Sequence, residues 1–399
     1  GDVYKRQGIL GIIVTLLLAW LVSSNKKKFK FLNIGLMILI QFVLTFILLN
    51  TSVGEFIIKK IAGFFEKLLG FAAEGVNFVF GGIANEGANV FFLNVLMPIV
   101  VVSLLIGILQ YLRILPLIIK LLGIILSKIT GMGNLESYNG AASVILGQSE
   151  VFISLKNKLP HISDQRLYTL SAQAMSSVSM SIVGAYMTML DPKYVVTAIV
   201  LNLFGGFIIA GIVNPYEVDE DEDGDDIDFN ETKGQSFFEV VGEYILDGFK
   251  VAITVAAMLI GYIALIAIVN NLFLLIPGVS ITFQDVLGYI FAPLAFIIGV
   301  PWDEAVRAGS LMATKLVTNE FVAMINLGEV SGELSERTKG IVSVFLVSFA
   351  NFSSIGIIAG SVKGLHAEKG NSVARFGLKL VYGASLVSLL SAAIVGFFI

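Results

Sequence analysis

Long apolar runs alternate along this chain with short polar or basic connectors. Runs at 8–23, 32–50, 92–112, 165–190, 194–214, 249–275, 338–362 and 374–398 each predict a membrane-spanning helix, because about 20 residues suffice to cross the hydrocarbon layer. Stretches 55–82 and 115–130 set Lys59, Lys60, Glu66 and Lys67, or Lys120 and Lys128, among apolar residues at helical spacing. They predict amphipathic helices at the outer and inner interfaces. Two further stretches, 135–160 and 284–326, are interrupted by polar residues and read as re-entrant hairpins, which are tolerated at membrane depth where protein buries them.

Composition agrees with this pattern. Of 399 residues 56% are hydrophobic and only 14% charged, with a mean hydropathy of +0.88, whereas soluble domains carry about 25% charge. The expected fold is an all-α polytopic membrane protein with eight transmembrane helices, two re-entrant hairpins and interfacial helices. Lys26, Lys27, Lys28 and Lys30 follow the first run and belong in the cytoplasm, which places both termini outside and the loop of Lys363, Lys369 and Arg375 inside. The same lysines make the first run a stop-transfer segment, not a cleaved leader. The polar stretch Gly1–Gln7 is set aside. Cysteine is absent, which excludes disulfides and thiolate metal sites. His161 and His366 lie in basic connectors and read as surface residues. The acidic stretch 217–232 reads as a solvated cytoplasmic linker, with a regulatory metal or partner site as the alternative.

Three polar clusters stand out against this background: Gly147-Gln148-Ser149-Glu150, Asn319-Glu320 and Asn351-Phe352-Ser353-Ser354. An ionisable group at membrane depth costs roughly 2.5–3.5 kcal/mol even on the mildest scale, so these clusters mark a site. Hairpin 135–160 precedes a helix broken at Ser176-Ser177-Val178; hairpin 284–326 precedes one broken at Ser353-Ser354-Ile355. One more span follows each, and the two units enter from opposite sides. This is the pattern of an inverted repeat with a midplane site. The chain then divides into scaffold spans and interfacial helices (8–130), a first transport repeat (135–214), an acidic linker with an interfacial helix (215–248), a scaffold span (249–275) and a second transport repeat (284–398). Blander readings compete at each position. A lone Gln or Ser is often glue between helices, and Gly356 with Gly360 reads as packing. Lys315 reads as a structural ion-pair partner for Glu150 or Glu320. The buried carboxylates themselves are hard to explain structurally.

Gly147-Gln148-Ser149-Glu150, the segment from Gly299-Val300-Pro301-Trp302 to Lys315-Leu316-Val317-Thr318-Asn319-Glu320-Phe321, and Ser348-Phe349-Ala350-Asn351-Phe352-Ser353-Ser354 resemble the concentrative nucleoside transporters. The resemblance runs from about residue 8 to the end. Met180-Ser181-Ile182-Val183-Gly184-Ala185-Tyr186-Met187 and Phe237-Phe238-Glu239 are similar to stretches of bacterial proton-coupled nucleoside permeases. The resemblance implies a homotrimer in the bacterial inner membrane, with a mobile transport domain moving nucleosides past a fixed scaffold like an elevator. It also implies that Gln148, Ser149 and Glu150 address the nucleobase, with Phe349 and Val251 as apolar wall. Glu320, Asn351 and Ser354 would hold the ribose. Sodium-coupled relatives hold the cation with an Asn where this chain has Ser143, with carbonyls here belonging to Leu146 and Val178, and with a Ser here retained as Ser177.

Elementary chemistry is consistent with these roles. Vicinal ribose hydroxyls are donors that a carboxylate accepts, and an amide beside it both gives and accepts. Asn351 and Ser354 share a face if helical. Losing an amide oxygen at Ser143 weakens a cage for a hard cation. The expectation is therefore symport with H+ as coupling ion, Glu150 carrying the proton and Glu320 as second choice; Na+ coupling is the alternative. The expected substrates are uridine-like and adenosine-like nucleosides, with no cofactor, no metal and no nucleic-acid partner. No zincin, nucleophile-elbow or intramembrane Asp-dyad motif supports an enzyme. A passive channel or intramembrane hydrolase is the reading from a different class.

Overall fold

The structure is a computed structural model that describes residues 2–84, 90–218 and 227–399; the acidic run at 219–226 lies outside the described residues. Helices account for nearly all regular structure. The first two apolar runs form α1 (Asp2–Leu21) and α2 (Phe31–Asn50). α1 begins earlier than the apolar pattern suggests, because Gln7 Nε2 donates to the Phe296 carbonyl at 2.8 Å and so docks the polar start on the body. α3 (Ser52–Phe80) is the first amphipathic stretch, started by Thr51, whose hydroxyl accepts from Gly54 N. A π-helical turn (Phe92–Leu96) leads into α4 (Ile99–Tyr111), and α5 (Ile114–Thr130) is the second amphipathic stretch.

The first polar-interrupted stretch folds as α6 (Asn134–Glu150), broken near its end at Gly147, and returns through short 3-10 turns at Ile153–Leu155 and Leu159–His161. The run at 165–190 is two half-helices, α7 (Asp164–Met175) and α8 (Met180–Met189), and α9 (Pro192–Val213) follows, capped by Asp191. Past the linker, α10 (Phe237–Leu274) has 38 residues, about 57 Å at the helical rise. The interfacial piece and the span expected from 249 are thus one continuous helix. Neither Gly242 nor Gly248 breaks it: Gly248 sits against the backbone of Val100, and Ser103 Oγ donates to Tyr244 O at 2.8 Å.

The stretch 284–326 resolves into α11 (Phe283–Ile297), α12 (Ala305–Val317) and α13 (Glu320–Val330). α11 and α12 meet backbone to backbone at Gly288 and Gly309, where any Cβ would lie under 3 Å from a main-chain atom of the other helix. The run at 338–362 is again two half-helices, α14 (Glu336–Leu346) and α15 (Ser353–Leu365); α16 (Ala367–Arg375) and α17 (Gly377–Val395) end the chain. His366 caps α16 through Nδ1, a structural role.

Among the described residues six helices are long and apolar enough to cross a membrane unaided: α1, α2, the Phe92–Tyr111 segment, α9, α10 and α17. α9 and α17 are largely buried inside the protein, whereas α2 and α10 present apolar side chains outward. Such outward faces suit lipid or another protein surface.

One buried ion pair holds α6 to α7. Arg166 forms a fork with Glu136, Nε to Oε1 at 2.6 Å and Nη2 to Oε2 at 3.1 Å, and Tyr216 donates to the same carboxylate at 3.1 Å. Both charged side chains are at most 2% exposed. Removing one partner strands the other charge. Arg166→Ala is expected to cost about 3–5 kcal/mol, read as a lower melting temperature of the detergent-purified protein; an unchanged melting curve would contradict this.

Candidate functional site

Four chain breaks converge in the interior. The first is at Gly147, whose φ of 85° and ψ of −178° lie in a region open essentially only to glycine. A Cβ there would sit 2.9 Å from the Ser179 Cβ, so this break is pressed against the second, Ser176–Ser179 between α7 and α8. The third separates α12 from α13 at Thr318–Asn319, and the fourth separates α14 from α15 at 347–352. Phe349 N donates to Ser177 O at 3.1 Å, and Phe352 N to Leu316 O at 3.1 Å. The fourth break thus bonds to the second and to the end of α12 at the third.

Glu320 opens α13, where the positive helix end favours a carboxylate. It is 4% exposed, and its Oε1 accepts from the Tyr186 hydroxyl at 2.7 Å. Tyr186 comes from α8, so this bond joins the two halves of the chain. Asn319 is a cap: its Oδ1 accepts from Val322 N at 3.0 Å. Asn351 and Ser354 are connected by a turn, not a shared helical face. Asn351 lies before α15, and its Oδ1 accepts from Ser354 N at 3.0 Å and from Ser353 Oγ at 2.7 Å. Its amide nitrogen makes no side-chain hydrogen bond among the described residues.

Lys315 makes no contact-distance ion pair with a carboxylate, although Glu320 acts on it as the nearby opposite charge. Its fully buried ammonium donates to Phe345 O at 2.6 Å, Ser348 Oγ at 2.6 Å and Ser388 Oγ at 3.2 Å, and lies over the Phe345 ring. Two acceptors at the end of α14 and one on α17 satisfy it, helped by the negative end of α14.

Glu150, Leu146 and Val251 line one cavity of about 150 Å³, together with Ser179 and Ser181 of α8 and with Glu231, Glu243, Tyr244 and Asp247. Phe349 is half-buried beside Ser177. Gln148 is nine-tenths buried with an unpartnered Oε1, and Ser149 is half-buried; neither lines that cavity. Sequence reasoning missed Tyr186, Asp247 and Glu231 as neighbours of this region. Asp247 was legible, since Glu243, Asp247 and Val251 fall at i, i+4 and i+8 on one helical face. Glu231 had no signal, because it reaches the cavity from a linker.

Ser143 and Ser177 do meet. Ser143 Oγ donates to Asn139 O at 2.8 Å, and Ser177 Oγ to Ser143 O at 3.1 Å and Ala174 O at 3.0 Å. Leu146 and Val178 are buried nearby in sequence, at 4% and 2% exposure.

Family models cover nearly the whole chain. The Na+ dependent nucleoside transporter N-terminus matches residues 10–83, a nucleoside recognition model matches 92–193, and the Na+ dependent nucleoside transporter C-terminus matches 194–396. The chain belongs to the concentrative nucleoside transporter family. This transporter is 38% identical to the purine nucleoside transport protein NupG of Bacillus subtilis, over 99% of this chain and all of that one. It is 30% identical to the nucleoside permease NupC of Helicobacter pylori, over 98% and 97% of the two chains. Among solved structures it is similar to CNTnw in an inward-facing substrate-bound state, with 30% identity, 98% of each chain covered and a TM-score of 0.92. As in those relatives, the chain is a polytopic, all-helical membrane transporter and not an enzyme.

The first break can be tested through its glycine. Gly147→Ala forces a side chain into a left-handed backbone and against Ser179, a strain of about 1–3 kcal/mol. Substrate uptake by this transporter is expected to fall while the protein still inserts, as judged by uptake normalised to membrane-embedded protein; unaltered uptake would contradict the role of the break.

Proposed function

We propose that this protein imports nucleosides by proton symport through a bacterial inner membrane, as a homotrimer whose hairpins and broken helices move as an elevator-like unit. The observation that carries the substrate reading is Glu320, a buried carboxylate at a helix start, held by Tyr186 across the two halves. Glu320, Asn351 and Ser354 bind the ribose in this reading. Glu150, Gln148 and Ser149 address the nucleobase, with Phe349 and Val251 as its apolar wall. Relatives named for purine nucleoside and nucleoside transport support nucleosides as the substrate class. The outward apolar faces of α2, α3 and α10 support a scaffold seated in lipid and against other copies.

Proton coupling is supported by the cation cluster. The Ser143 hydroxyl turns back onto Asn139 O of its own helix, and its short side chain does not supply the amide oxygen that an Asn at this position would bring to a hard cation. Glu150 is the proton carrier in this reading. Sodium coupling is the second reading, favoured by the description of the matching family models as Na+ dependent.

Uptake into proteoliposomes separates the two. Nucleoside accumulation should follow an imposed pH gradient and ignore a sodium gradient; the reverse dependence would establish sodium coupling. Glu150→Gln should retain exchange of nucleoside and lose pH-driven accumulation. Asn351→Ala should weaken binding of ribonucleosides by about tenfold or more, as expected for a lost hydrogen bond to a charged or buried partner, and bring ribose-lacking analogues to parity with them. If analogues without ribose hydroxyls already compete as well as nucleosides, the ribose assignment is wrong.

A further inference from the structure

The linker does not simply pass beneath the transport unit. Its second half, residues 227–236, folds back against the helices and is locally built. Asp228 Oδ1 accepts from Asn230 N at 2.9 Å, and Asn230 Oδ1 accepts from Thr232 N at 3.2 Å and Thr232 Oγ1 at 2.8 Å. Phe229 and Thr232 are buried, at 4% and 3% exposure, and Ser236 then caps α10. Between these anchors Glu231 reaches the cavity that Glu150 and Val251 line. Its Oε1 is buried without a hydrogen-bond partner among the described residues, the Ser154 hydroxyl lying nearby. Packing does not explain that placement. A buried acceptor without a partner costs on the order of 1–3 kcal/mol, and the site would lose nothing structurally by presenting an apolar side chain.

We infer that Glu231 is a base-selecting residue of the nucleoside pocket, delivered from the cytoplasmic linker to accept hydrogen bonds from amino groups of the nucleobase. The inference rests on the nucleoside reading above and specifies its base end. Two carboxyl groups, Glu150 on α6 and Glu231 on the linker, border one small cavity, and Glu243 and Asp247 approach from α10. Burial first, then Glu150, and to a lesser degree Glu243 and Asp247, push the Glu231 carboxyl up to about 8, with the Ser154 hydroxyl opposing. The Tyr244 hydroxyl lines the same cavity, and Lys250, on the next turn after Asp247, is the nearby cation of α10. Four carboxyl groups gather at this end of the site, beside the hydroxyls of Ser103, Ser179, Ser181 and Tyr244. Adenine, guanine and cytosine present exocyclic amino donors, whereas uracil and hypoxanthine present a carbonyl at the corresponding position or lack the amino group. An amino donor on the base favours the ionised, acceptor-only form of the Glu231 carboxyl; a carbonyl in its place does not.

The test is competition and direct uptake in proteoliposomes with the full-length protein, using the pairs cytidine against uridine and guanosine against inosine. The wild type is expected to favour the amino-bearing member of each pair. Glu231→Gln keeps the size and exposes an amide donor, and should shift both ratios toward uridine and inosine by about tenfold; Glu231→Ala should bring both ratios close to one. Affinity for all four nucleosides changing by the same factor, or a changed maximal rate with unaltered ratios, would make the segment a strap and overturn base selection. Unchanged ratios in both variants would overturn it as well. Absence of any saturable nucleoside uptake by the wild type would instead overturn the nucleoside reading, and base selection with it.

Discussion

Backbone groups released at membrane depth must find partners inside the protein, and this constraint organises the whole interior. Each broken helix frees carbonyls and amides that water cannot reach. The bond from Phe349 N to Ser177 O joins the two breaks directly, and Asn202 Nδ2 takes Val347 O at 2.7 Å from within α9. Lys315 then closes the end of α14 through Phe345 O and ties it to α17 through Ser388. A buried ammonium is costly, yet here it replaces the hydrogen bonds that a continuous helix would have made for itself. The breaks are affordable only because they are assembled against one another.

The same economy decides which polar groups are free to act. Asn319, Ser179 and one end of Asn351 are used as caps, and Ser177 is used on Ser143. Left over near the breaks, among the described residues, are the Asn351 amide nitrogen, the remaining capacity of Glu320, the unpartnered oxygens of Gln148 and Asn139, the Gln173 amide nitrogen, and the carboxyl groups of Glu150 and Glu231. Groups whose neighbours are locked by caps hold their own geometry well, which suits a site that must recognise a ligand with several donors and acceptors. Tyr186 illustrates the overlap. It fixes Glu320 and, by coming from α8, makes the carboxylate's position depend on both halves.

The cavity at the Glu150 end has a different construction. One wall is made by α6 and the start of α8, and the other by α4, the first turns of α10 and the returning linker. α10 contacts α4 closely at Gly248 and through Ser103, so this wall belongs to the long outward-facing helices and not to the broken ones. A pocket divided in this way changes shape whenever the two groups of helices move relative to each other, which links recognition of the base to the proposed transport motion.

Membrane embedding, the positions of the apolar helices and the three polar clusters were determined by the sequence alone, because hydropathy and helical periodicity are local properties that need no partner. The half-helices were foreshadowed by Ser176-Ser177 and Ser353-Ser354, and Gly147 by its place in a polar run. Tertiary structure decided what those residues do. Lys315 looked like a partner for a carboxylate and is instead bonded to oxygens on α14 and α17, because charge complementarity in a sequence does not reveal which acceptors the fold brings within reach. Asn351 looked like a helical neighbour of Ser354 and is instead its cap. Tyr186 stood in a family-like stretch that gave no sign of its partner, 134 positions away, and Glu231 carried no mark, since it enters the cavity from a linker whose composition reads only as solvated. Long-range packing, not pattern, assigned both.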